Sequence, residues 1–117
     1  GRVKVLYKNG APGVDYALDG ARLSFRGGEL TLDLEKLQRD YPVTLIVSED
    51  REGRLTLGPA WRYVAEIEIP ARRSAVRKTG VADDFGFPVL ERVYFPLDTA
   101  EVTLTLWKAK EGDNGAV

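Results

Sequence analysis

Four cationic side chains fall within seven residues at Arg72, Arg73, Arg77 and Lys78, and two carboxylates follow at Asp83 and Asp84. Such a cluster could grip phosphates and give a salt-sensitive affinity for nucleic acid. Single-strand binders also interleave aromatic rings for base stacking, and none lies between Ala71 and Val81. The whole chain carries a net charge of −1, so the sequence disfavours nucleic acid as a partner. Two readings remain for this stretch, contact with protein and a solvated hairpin whose charges keep its exposed edges from aggregating. Arg72, Arg73, Arg77, Lys78, Asp83, Asp84, Phe85 and Phe87 are the expected contact residues, on an arm running from Arg72 to Phe87.

Carboxylates near turns also suit calcium, and Glu49, Asp50 and Glu52 form a second such group. Neither group has the alternating spacing of an EF-hand loop, and no metal site is expected. Asp84-Phe85-Gly86 spells a kinase-like D-F-G without the Gly-rich loop, lysine strand or catalytic loop that would give it meaning. Histidine and cysteine are absent, which removes the usual general base and the strongest nucleophile. The serines, Ser24, Ser48 and Ser74, sit in no nucleophile-elbow motif. The chain is therefore expected to be non-catalytic, with no cofactor. A different function class is offered by Trp61, Tyr63 and Trp107, whose rings could form a platform for carbohydrate on a β-sandwich module. Their apolar bulk favours a plainer role, closing the ends of the core.

These residues must be positioned by strands. From Arg62 to Ile69 apolar and charged residues alternate, with Val64 the exception, and the same period returns from Glu101 to Leu106. Val89 to Phe95 is apolar in places on both faces, which marks it as a central partner. Trp61 to Trp107 therefore reads as a long hairpin with a return strand. If Ile69–Lys78 and Gly86–Phe95 pair, the hairpin runs about 30 Å, too far for a small core to cover. Such an arm is expected to be disordered alone or packed on another chain.

Upstream, Arg2 to Lys8 alternates as a strand with a mostly charged outer side. Asp19-Gly20 is a strong hairpin signal, and with Gly27-Gly28 it sets three strands in series up to Leu34. Asp33 can cap a short helix over Leu34 to Asp40, stopped by Pro42. Val43 to Val47 is apolar enough for a strand buried on both faces. The expected core is Leu23, Phe25, Leu32, Leu45, Val47, Ile67, Val93, Leu104 and Leu106. The fold class is all-β: a β-sandwich or small barrel of about nine short antiparallel strands, with one short helix and a projecting hairpin arm.

At 117 residues, 44% hydrophobic and 30% charged, the chain suits one ordinary domain that needs no metal or disulfide. Residues 1–107 are expected to form a single β domain and 108–117 a flexible tail. No apolar run approaches a membrane span and no signal-peptide pattern is present, so a soluble protein is expected. With no methionine and with Gly1 ahead of Arg2, Gly1 reads as a residue added at the start.

Through its turn-rich opening, YKNGAPGVDYALDGARLSF, and the run PLDTAEVTLTLW, the chain resembles small β-rich proteins encoded among the structural genes of tailed phages and prophages. The likeness is one of style over most of the chain, and no residue is carried over from it. It implies a virion or tail-assembly component in the cytoplasm or virion. Such a protein works by contact, as a homo-oligomer or beside other virion subunits.

Overall fold

The computed structural model describes residues 2–109. Ten strands and one short helix follow in order: β1 (Lys4–Lys8), β2 (Tyr16–Asp19), β3 (Arg22–Phe25), β4 (Leu30–Asp33), α1 (Leu34–Leu37), β5 (Val43–Glu49), β6 (Leu55–Leu57), β7 (Arg62–Ile69), β8 (Ser74–Ala82), β9 (Pro88–Tyr94) and β10 (Thr103–Trp107). The all-β class is as expected. The strands make three separate sheets and no closed barrel: a five-stranded sheet in the order β1-β10-β7-β5-β6, the meander β2-β3-β4, and the two-stranded ribbon β8-β9. All pairings are antiparallel except β1 with β10.

The meander lays its inner face on the five-stranded sheet, and one apolar cluster fills the space between. Leu23, Phe25 and Leu32 come from one side; Val47, Ile67, Leu104 and Leu106 come from the other. Of the expected core, Leu45 is only partly buried. Val93 is a correction, because it lies on the ribbon, outside the cluster. Val64, the break in the alternation of β7, is explained by a register shift. Val47 faces Ala65, but Ser48 faces Tyr63, so Val64 is the extra residue of a bulge and turns inward beside Ala65.

Two further expectations are corrected. Val43 to Val47 is not buried on both faces: Thr44 is exposed, because nothing described covers the outer face of the large sheet. The helix covers Leu34–Leu37 and not the stretch to Asp40. Asp33 caps it as expected by accepting from Lys36 N. It ends because Gln38 turns extended and sends its buried side chain to Pro70 O at 3.1 Å, which leaves Tyr41 exposed.

The turn after β1 meets the end of β10 at one end of the large sheet. Lys108 N donates to Lys8 O and Ala109 N to Pro12 O, and Gly13 bridges to Lys108; the rest of the expected tail lies outside the described residues. Gly13 is buried against Leu106, where an added Cβ would stand 2.5 Å from the leucine Cβ. A change of leucine rotamer relieves only the Cδ1 contact at 2.9 Å and not the one at Cβ, so backbone must move. Gly13→Ala is expected to cost about 1–3 kcal/mol, as overpacking does, and urea unfolding measures it. A loss under about 0.5 kcal/mol, the range of neutral surface changes, would show that the turn gives way freely.

Candidate partner-binding site: the projecting arm

The ribbon β8-β9 is the structure's outlying part. The chain measures 70 × 24 × 23 Å with a radius of gyration of 19.1 Å, against about 13 Å for a compact chain of this length. The nine residues of β8 reach about 30 Å at 3.3 Å each, as expected for the arm. Its strands differ from those expected. Arg62–Ile69 is no part of the ribbon: β7 is the middle strand of the large sheet, between β10 and β5. Val89–Phe95 is not a central partner either, because β9 pairs with β8 alone. Its two apolar faces belong to a ribbon without a core beneath it.

The base of the arm is clamped. Arg72 N donates to Arg39 O at 2.8 Å, and its guanidinium donates to Gln38 O at 3.2 Å. The same group stands 3.7 Å from Asp40 and 5.4 Å over the Tyr94 ring. Arg73 pairs with Glu101, and Phe95 N closes back on Arg73 O at 2.9 Å. Farther out, Arg77 pairs across the ribbon with Glu91, and Arg92 donates to Ser74 Oγ at 2.8 Å. The four-cation cluster is thereby dispersed. Arg72 and Arg73 serve the base and Arg77 is matched in the ribbon, leaving Lys78 with no anionic partner among the described residues.

The tip is built by Asp83. Its Oδ1 accepts from Phe85 N and Phe87 N, both at 2.9 Å, while its own N donates to Phe87 O at 2.8 Å. Gly86 takes φ +81°, which a side chain would resist, and its N donates to Asp83 O. This turn holds the rings outward: Phe85 is 85% exposed and Phe87 66%. Val76, Val81 and Leu90 are exposed along the same ribbon. They belong to the surface too, although the sequence reading passed over them. The signal was there in a run apolar on both faces.

The other acidic group is spent internally. Glu49 is held by Arg26 and Arg62. Asp50 Oδ1 accepts from Glu52 N and Arg54 N, and the Arg54 backbone bond is the chief reason its carboxyl titrates below the ordinary value of 3.8. No group of three potential ligands that could hold a metal occurs among the described residues.

The aromatic trio does not close the ends of the core, which corrects its plainer role. β7 and β10 place Tyr63 and Trp107 on the open face of the large sheet, edge to face at 5.9 Å and 89°, and Trp61 is 61% exposed. Cations stand over two of the rings, Arg51 on Trp61 at 4.1 Å and Lys8 on Trp107 at 5.2 Å. The rings are not a coplanar platform. No described helix is long and apolar enough to cross a membrane.

No protein-family model, curated protein or solved structure matches this chain.

Proposed function

We propose that this chain is a non-catalytic assembly protein that joins its complex through the β8-β9 arm, and that the complex is a phage or prophage particle, as the resemblance of its sequence implies. One observation carries the reading: a clamped ribbon of about 30 Å ends in two exposed phenylalanines that touch no core of their own. An ordinary hairpin in water protects itself with charge and keeps such rings inside. Here the backbone bonds of Asp83 fix both rings outward, which lowers the ordering cost of docking. The apolar contact surface would come from Phe85, Phe87 and Leu90, with Lys78 and Asp84 as polar rim.

Replacing Phe87 by photoreactive benzoylphenylalanine, in cells that make the natural assembly, tests this reading. Illumination is expected to join position 87 to a protein, while the same residue at exposed Lys36 on α1 gives no adduct. Failure of position 87 to crosslink would contradict an arm that docks.

A further inference from the structure

The arm reading leaves open what receives the tip, and the opposite end of the molecule has a matching surface. β7 runs from Arg62 to Ile69. The arm leaves beyond Ile69, whereas Trp61 and Tyr63 stand at the start of the strand. β10 is antiparallel to β7 and β1 parallel to β10, so Trp107 and Lys8 come to that same starting end. The β5 register, with Glu49 opposite Arg62, brings Arg51 there too. The result is a pole on which Trp61 and Tyr63 are exposed and Trp107 partly so, topped by two cations, and no carboxylate pairs with Arg51 or Lys8 among the described residues.

The tip is its counterpart in chemistry. It offers two phenylalanine rings and the carboxylates of Asp83 and Asp84, which pair with no cation among the described residues. Tryptophan, tyrosine and arginine are the side chains enriched at binding hot spots, and phenylalanine rings pack favourably edge to face on such rings. The two surfaces lie at opposite ends of a chain 70 Å long, so one copy cannot satisfy itself.

We infer that the arm tip of one copy docks on the Trp61, Tyr63, Trp107 pole of a second copy, in a head-to-tail contact. The inference rests on the arm reading. Because the contact joins two different surfaces, it repeats from copy to copy and either closes into a ring or runs on as a filament.

Sedimentation velocity with three proteins tests it: the unaltered chain, a tip variant Phe85→Ser with Phe87→Ser, and a pole variant Arg51→Glu with Trp61→Ser. All four altered residues are exposed, so circular dichroism should be unchanged. At roughly 100 μM, a hundredfold above a micromolar Kd, the unaltered chain is expected to form species larger than a dimer. Each variant alone should be a monomer. Their equal mixture should give a dimer and nothing larger, since only one intact tip and one intact pole remain. An unaltered chain that stays monomeric, or variants whose mixture gives no dimer, would overturn the self-contact. A pole variant that assembles like the unaltered chain would overturn it as well, and none of these results removes the arm. A tip variant that assembles normally would overturn the self-contact too, whereas the arm reading itself falls only if position 87 fails to crosslink.

Discussion

Glu49→Ala is expected to destabilise the fold by about 3–5 kcal/mol, the cost of stripping a buried ion cluster of its shared partner. Glu49 is only 2% exposed. Arg26 meets one carboxylate oxygen directly, and Arg62 reaches both oxygens at 3.4 Å. Arg26 also donates to Gly53 O at 3.0 Å. The carboxylate thus ties the turn after β3 in the meander to β5 and β7 in the large sheet, across the layer boundary. Without it Arg26 and Arg62 lose the carboxylate they share, at side-chain exposures of 13% and 26%. The cluster as a whole gives much smaller net stability than this loss suggests, because Glu49 and Arg26 are largely desolvated and Arg62 partly so. Removing Arg26 and Arg62 together with Glu49 should therefore cost less than the sum of the single losses. Urea unfolding of the single and triple variants checks both statements. A Glu49→Ala loss under about 1 kcal/mol would place the group in a wetter site than its burial indicates.

Phe25→Ala should cost about 3–5 kcal/mol, as deletion of a buried aromatic ring does. Phe25 heads the largest fully buried side chains, and it closes β3 opposite Tyr16 and Leu30. Its ring fills the layer between the meander and the large sheet, and that layer has rigid walls on both sides. The cavity would have little room to collapse. Thermal and urea unfolding should both register the change, and a loss near that of an exposed residue, about 0.5 kcal/mol, would contradict the two-layer core.

The two expected losses differ in how visible they were in the sequence. Phe25, Leu32, Ile67 and Leu104 announced themselves through alternation, since a period of two leaves one face for a strand to bury. Val64 broke that rule locally, and only the partner strand's register shows it to be a bulge. The Arg26, Glu49 and Arg62 cluster was illegible for another reason. Its members lie far apart in the chain, and each looked like an ordinary charge in a turn or on a strand. The arm was legible in its length and place, through residues too polar to cover. The identity of its strands was not: Val89 to Phe95, apolar on both sides, has the composition of a central strand. A two-stranded ribbon with no core beneath it presents the same pattern. Within the cationic cluster, spacing alone could not separate Arg72 and Arg73, held at the base, from Lys78, which has no anionic partner among the described residues.

Excision of the arm tests most directly whether it is the docking element of an otherwise self-sufficient body. Ala75 and Val93 face each other across the ribbon, so residues 76–92 can be replaced by Asn-Gly, a two-residue turn suited to hairpin twist. The core cluster contains nothing from the excised stretch. Full-length and excised chains, each made in cells that hold the natural assembly, are then compared by size-exclusion chromatography of the extract. The excised chain should keep the unfolding midpoint of the full chain yet elute as a free monomer while the full chain travels with the assembly. Co-elution of a folded, excised chain with the assembly, in the same proportion as the full chain, would contradict the account.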